Sequence, residues 1–443
     1  MHIVILGAGD LGTYAAKRLA KESHDVVIID QDEKKIQTIT QEIDAATLVG
    51  KASDWKLFQE LMKEDSLFLA LTGSDEVNLS ACHIAKNLGY QKTICRLIEP
   101  TYLDRLSIDL GKLFSVDHFV CAEAVVANEL LSMLLHPSDL FSHTFAHGSI
   151  LMRTLKVPID WKKETVPLSK LGLPRELLLG LIKRGNEVIF PHGQDVIMPE
   201  DEITMVGASY HFHHLHEIFP VPKKKPSSVT VTGDTKTSLH LCHFLQKKNI
   251  SFKIIEHEEK TCEKLAAIFP KATVLNHNEK DLDFLLSEKG KGNVFISLRD
   301  KDEENLLLSA LAKEADYEKV AVLLTDNTLA PILQKMGISY VFSEKVSFFD
   351  KVLALISPSN VMEIASLADG KASVIEIKVS PRSELIGIPL ANLSSSLPQD
   401  LIIAVVENKG KVKLGKGDIS LSENDTVVLL ASSEKIHEIK DLF

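Results

Sequence analysis

Apolar and polar positions change rhythm along this chain in an ordered way. Short apolar runs open it and recur: HIVIL (2–6), DVVIID (25–30), ATLV (46–49), LFLALT (67–72) and KTICRLI (92–98). Segments with apolar residues at helical spacing separate them, such as NLSACHIAKNLG (78–89). Strands that alternate with helices predict a parallel sheet covered by helices on both faces. From residue 148 the texture becomes strand-rich, with GSILMRTLKV (148–157), LLLGLIKR (177–184), EVIFPHG (187–193) and EITMVGAS (202–209) divided by Gly, Pro, Asp and Asn. That pattern predicts a small α+β domain with a hairpin near the PHGQD turn. Between the two textures, AEAVVANELLSMLL (122–135) is apolar at helical spacing through Val125, Val126, Leu130, Met133 and Leu134. Such a helix either lies inside its own domain or packs on a partner subunit.

The pattern is written twice. IVILG (3–7) returns as VTVTG (229–233), and Gly233 minus Gly7 is an offset of 226. Asp30, at the end of the second strand, is matched by Glu256 at the end of FKIIE, again 226 apart. ALTGSDEVN (70–78) returns as SLRDKDEEN (297–305), VPLSKL (166–171) as IPLANL (388–393), and DVIMPEDEITMVGAS (195–209) as DISLSENDTVVLLAS (418–432). A duplicated two-part module accounts for 443 residues better than three unrelated domains. The expected boundaries are 1–122 and 227–346 for the parallel-sheet domains, and 140–222 and 363–443 for the smaller ones.

Chemistry enters at ILGAGDLG (5–12). In this strand–turn–helix frame Gly7 permits a tight turn, Gly9 lets the backbone approach a pyrophosphate, and Gly12 lets the helix pack on the strand. The helix expected to begin near Asp10 offers unpaired N–H groups to phosphate. Asp30, 18 residues beyond Gly12, has the spacing of a ribose-hydroxyl acceptor. A carboxylate there repels a 2′-phosphate, so NAD(H) or an adenine nucleotide is favoured over NADP.

The net charge of −11 disfavours nucleic acid and unaided binding to anionic lipid. No stretch has the length and apolarity of a membrane span, and no basic segment precedes the first apolar run, so a soluble cytoplasmic protein without direct membrane insertion is expected. Cys82, Cys95, Cys121, Cys242 and Cys262 show no CxxC spacing and read as buried free thiols. PVPKKKPSS (220–228) has the composition of an extended linker. His211, His213, His214 and His216 could pair at i, i+3 on a helix, but the second copy carries only His437 there, so a solvated amphipathic helix is the preferred reading and no metal is expected.

Taken together, ILGAGDLG, Asp30, LTGSDEVN, ICR (94–96) and the LKVP…VPLSKL…PHGQDVIMPEDEITMVG segment, followed by the whole set again, resemble the tandem RCK family of TrkA type. Members are peripheral nucleotide-binding subunits of bacterial Trk potassium uptake systems. The resemblance covers nearly the whole chain. It implies an α/β fold of two tandem Rossmann-like parallel-sheet domains, each followed by a small α+β regulatory domain. It further implies bound NAD(H), with ATP or ADP as alternatives, a homo-oligomeric gating ring, and a potassium-translocating membrane subunit as partner. The protein would then sit on the cytoplasmic face of the inner membrane through that partner. Carried over by residue, Gly7, Ala8, Gly9, Asp10, Leu11 and Gly12 form the phosphate turn and Asp30 holds the adenosine ribose. Thr72 and Gly73 lie over the nucleotide, and Arg96 stands beside the phosphates.

Two departures accompany the resemblance. The second copy reads GDTKTS, keeping only Gly233 of the three glycines, so Thr235 and Ser238 are expected to crowd the phosphate approach and the helix contact. Its fold should persist and its nucleotide site should be weakened or lost. Lys51, in GKAS (50–53), stands where many relatives carry an acid. The competing reading is an NAD-dependent oxidoreductase. It would require a positioned acid–base group facing the nicotinamide, and the recurring strand-rich module offers none. No catalytic residue is therefore assigned.

Overall fold

The structure is a computed structural model, and it describes residues 1–22, 24–99, 109–135, 141–145, 150–174, 176–185, 187–208, 211–212, 219, 228–288, 293–325, 327–338, 340–356, 361–368, 371–393, 397–398, 400–408, 411–435, 439 and 442–443. The duplication is reproduced in space. Strands β1 (His2–Leu6), β2 (Asp25–Asp30), β3 (Ala46–Val49), β4 (Leu67–Ala70), β5 (Lys92–Arg96) and β6 (His118–Val120) form a parallel sheet in the order β3-β2-β1-β4-β5-β6. After β7 (Phe141–Phe145), β8 (Ile150–Lys156), β9 (Leu177–Arg184), β10 (Glu187–Ile189) and β11 (Glu202–Ala208), the order repeats. Strands β12 (Ser228–Thr232), β13 (Phe252–Glu256), β14 (Thr273–Asn276), β15 (Asn293–Ser297), β16 (Lys319–Leu324) and β17 (Tyr340–Ser343) run β14-β13-β12-β15-β16-β17. This is the doubly wound order whose reversal lies between the first and fourth strands.

Packing repeats with topology. Phe68 and Tyr90 meet edge to face at 5.3 Å in the first copy, and Phe295 and Tyr317 do so at 5.3 Å in the second. The DEVN motif has a structural role. Asn78, fully buried, accepts the Thr72 N–H at 2.9 Å and donates to the Arg96 carbonyl at 3.0 Å, tying the ends of β4 and β5 together. Asn305 does the same for Arg299 and Leu323 at 2.7 and 2.9 Å. Asp75 accepts from the N–H groups of Ile98 and Glu99, and Asp302 from that of Thr325.

Each parallel sheet is followed by a helix, Ala122–Leu135 in the first copy and Glu344–Ile356 in the second, called here the trailing helices. The strand-rich parts are antiparallel sheets in the orders β10-β9-β11-β8-β7 and, with β18 (Val361–Leu367), β19 (Ala372–Lys378), β20 (Leu401–Asn408), β21 (Lys411–Leu414) and β22 (Thr426–Ser432), β18-β19-β22-β20-β21. The hairpin of the first sheet reverses between Arg184 and Glu187, at Gly185 with φ +57°, a few residues before PHGQD. PHGQD is a separate turn closed by Asp195, which accepts the His192 N–H at 2.6 Å.

Compact packing cuts across the sequence repeat. One unit comprises Met1–Asn128 and Ser228–Val352, the two parallel-sheet domains, and the other Glu129–Ser227 and Leu353–Phe443, the two antiparallel ones. The reason in the second unit is two-sided apolarity. Along β8, Leu151 and Leu155 face a core with Trp161 and Ile203, while Ile150 and Met152 face a second core with Val374, Val405 and Leu430 of the other copy. Runs such as LLLGLI are apolar on both faces, and the second face is covered by the equivalent sheet.

Candidate functional site

The first unit carries a cleft of about 950 Å³ at the carboxyl ends of β1, β2 and β4, a volume suited to a small-molecule ligand. Gly7, Gly9, Asp10, Leu11, Asp30, Thr72, Gly73 and Arg96 line it. Ala8 and Gly12 stand behind the wall. Ala8 lines an adjoining cavity and donates its N–H to Asp30 Oδ2 at 2.7 Å. Gly12 faces the turn itself, where a Cβ would overlap the Gly7 carbonyl oxygen.

The three glycines are thus required for different reasons. Gly7 has φ +108°, and a Cβ on it would meet the Leu71–Thr72 backbone at 2.9 Å. A Cβ on Gly9 would meet nothing within 4 Å, so Gly9 borders open space and is not dictated by packing within the chain. Gly9 also caps the helix Asp10–Lys21 with no side-chain hydrogen bond, leaving the first-turn N–H groups for an anion. Asp30 is oriented by the Ala8 N–H and by that of Asp32 at 2.9 Å, and a carboxylate so held retains acceptor capacity for ribose hydroxyls. These features fit an adenine dinucleotide or mononucleotide.

Arg96 is ion-paired as well as cleft-lining. It donates to Glu123 at 2.9 Å and lies 3.9 Å from Glu344. Glu123 and Glu344 are equivalent residues at the starts of the two trailing helices, so the copies meet at this guanidinium. Burial, reinforced by Glu123, pushes the Glu344 carboxyl up to about 7. The second copy also contributes Asp300, Thr325 and Lys345 to the cleft. Sequence reasoning missed all four, because equivalence between the copies carries no information about how they face one another. It found Lys51 only as a departure, and Lys51 lines the cleft together with Lys35.

The equivalent place in the second copy is filled from within. Thr235, in the place of Gly9, caps its helix by accepting the Ser238 N–H at 3.2 Å and donates to the Leu298 carbonyl at 3.0 Å. Ser238 is accommodated, its hydroxyl donating to the Thr235 carbonyl at 2.7 Å. Arg299, in the place of Thr72, pairs with Glu256 at 2.9 Å and with Glu279 at 2.6 Å. Both carboxylates are buried, so the acid that would hold a ribose is already committed to an arginine.

The fold brings one cysteine and one histidine together, Cys121 Sγ and His240 Nε2 at 3.7 Å with Glu123 at 3.5 Å from the sulfur. Burial pushes the thiol up to about 12 and lowers the pKa of the imidazole, so the pair is an uncharged packing contact and not a nucleophile with its base. All five cysteines are free and buried. His211 lies 4.0 Å from Glu176, while His213, His214, His216, His437 and most of the 220–228 linker fall outside the described residues. Among the described residues no group of side chains forms a metal site, and no helix is long and apolar enough to cross a membrane.

This duplicated doubly wound fold, with paired antiparallel domains and a glycine-turn cleft, is the architecture of a tandem RCK protein. The chain belongs to the TrkA-N domain family, which matches it at residues 3–120 and again at 229–344. It is 27% identical over 452 residues to the Trk system potassium uptake protein TrkA homolog 2 of Methanosarcina mazei, with both chains covered in full. It is also 27% identical to the Trk system potassium uptake protein TrkA of Haemophilus influenzae, covering 100% of this chain and 98% of that one. Both names are those of potassium uptake proteins, and neither is that of an oxidoreductase. The crystal structure of the GsuK RCK domain shares the fold, with a TM-score of 0.61 at 14% identity over 100% of this chain and 94% of that one. A GsuK channel bound to NAD gives 0.60 at 15% identity, covering 99% of this chain and 77% of that one.

Proposed function

We propose that this chain is the nucleotide-binding regulatory subunit of a Trk-type potassium uptake system. It binds NAD(H), ATP or ADP in the cleft of its first copy, through the turn Gly7–Gly12, Asp30 at the ribose, Thr72 and Gly73 above the nucleotide, and Arg96 near the phosphates. Binding shifts an equilibrium between two arrangements of the subunit, and a potassium-translocating membrane subunit senses the difference. The subunit works as a homo-oligomeric ring on the cytoplasmic face of the membrane, held there by that partner. The boundaries 1–122, 140–222, 227–346 and 363–443 are proposed for its four domains.

The observation that carries this reading is Gly9. It is a residue with no packing reason to be glycine, at an uncapped helix N-terminus, bordering a cleft that also contains the ribose acid. The names of the relatives support the transport context, and the NAD-bound GsuK channel supports the ligand class. Calorimetry with NADH, NAD, ATP, ADP and NADPH tests it. The wild-type protein is expected to bind at least one of the first four, and more tightly than NADPH. Gly9→Val, whose side chain enters the open cleft, should abolish binding while the melting temperature stays within a few degrees. Binding unchanged in folded Gly9→Val would remove the site assignment.

A further inference from the structure

The first copy does not close its own cleft. Lys345, the second residue of the second trailing helix, lines both this cleft and the adjoining cavity over the glycine turn. Its side chain is only 16% exposed, and its Nζ lies 4.0 Å from Asp10 Oδ1, at the first residue of the phosphate-side helix.

Packing sets that position. Phe349 follows Lys345 by one helical turn on the same face, meets the Tyr14 ring edge-on at 5.9 Å, and lies 5.1 Å from the Arg18 guanidinium. Asp10, Tyr14 and Arg18 form the matching i, i+4, i+8 row. Contacts that advance together, Lys345 with Asp10 and then Phe349 with Tyr14 and Arg18, require the two helices to run side by side in the same direction. Their N-termini therefore lie together at the cleft.

The charges there are unequally committed. Arg96 is answered by Glu123 at 2.9 Å and Glu344 at 3.9 Å. Lys345 meets Asp10 only at the limit of an ion pair, and that carboxylate is 82% exposed, so the contact is weak. The equivalent residue at the start of the first trailing helix is Ala124. The lysine is therefore not part of the repeat. It occurs in the copy that faces the intact glycine turn.

We propose that Lys345 is the cation that reads the phosphates of a nucleotide held on the first copy's glycine turn, so that the second copy's trailing helix registers occupancy. The proposal rests on the cleft being the nucleotide site. A diphosphate on the turn draws the ammonium from the weak Asp10 contact into a charge-assisted hydrogen bond, and the helix carrying Lys345 and Phe349 is then linked to the ligand.

The test is calorimetric titration of ADP into the full chain and its Lys345→Gln, Lys345→Arg and Gly9→Val variants, with thermal melts of each to establish folding. Lys345→Gln should weaken ADP about tenfold, Lys345→Arg should stay within about threefold of wild type, and Gly9→Val should lose binding. Wild-type affinity in Lys345→Gln while Gly9→Val loses binding overturns this inference and leaves the nucleotide site standing. Equal losses in the Gln and Arg variants overturn it too, because charge is then not what the site reads. Undiminished binding in Gly9→Val moves the nucleotide elsewhere and removes both readings.

Discussion

At the residue scale, Glu344 is a carboxyl whose charge responds to pH near neutrality. Burial, then the neighbouring Glu123 and Asp10, raise its carboxyl from the ordinary 4.5 to about 7, against the opposing pull of Arg96 and Lys345. Between those values the folded protein keeps a proton that the unfolded chain has released. The stability contributed by this group is thus present below about pH 4.5 and is lost as pH rises through about 7. Glu344→Gln, which imitates the protonated carboxyl, should flatten the decline in melting temperature between about pH 5 and 8 and should melt no lower than wild type at pH 8. Calorimetric scans across that range check it, and an unchanged slope would show that Glu344 does not titrate there.

At the element scale, the buried asparagines do more for the site than their place in the repeat suggests. Asn78 holds Thr72 and Arg96 in register across β4 and β5, so two cleft residues depend on a side chain outside the cleft. Asn78→Ala leaves a buried N–H and a buried carbonyl without partners and should cost about 2–4 kcal/mol, with weaker nucleotide binding. Asn305→Ala should cost a similar amount with little effect on nucleotide binding, since Arg299 and Leu323 flank a filled site. Chemical denaturation paired with titration of both variants separates the two roles. Equal losses of affinity would show that stability alone governs binding.

At the scale of the whole molecule, the two copies are unequal partners. Thr235 caps its own helix where Gly9 leaves the corresponding helix of the first copy uncapped, and Arg299 pairs with the acid corresponding to Asp30. Titration of the full chain with the preferred nucleotide should therefore give one strong site per chain. Two strong sites would mean that Arg299 leaves Glu256 when ligand arrives. Separated halves are a poor substitute for this measurement. Each compact unit draws on both halves, so cutting between the copies exposes the apolar face of each antiparallel sheet.

The local features of the protein were legible along the chain: the alternation of strands and helices, the duplication, the glycine turn with Asp30, and the loss of two of its glycines in the second copy. Each depends on neighbours a few residues apart, or on a pattern that repeats, and backbone geometry enforces both. Apolar runs without alternation carried a further signal, since a two-faced strand in an antiparallel module must be covered twice, yet they did not say by what. Tertiary structure alone decided that like domains pack with like, that Arg299 fills the second site, and that Lys345 and Glu344 reach the first. The Arg299 contacts join separate strands and loops within the second copy, and the others join residues of different copies. They depend on which apolar faces remain after each domain has buried its own, and no spacing rule along a chain contains that remainder.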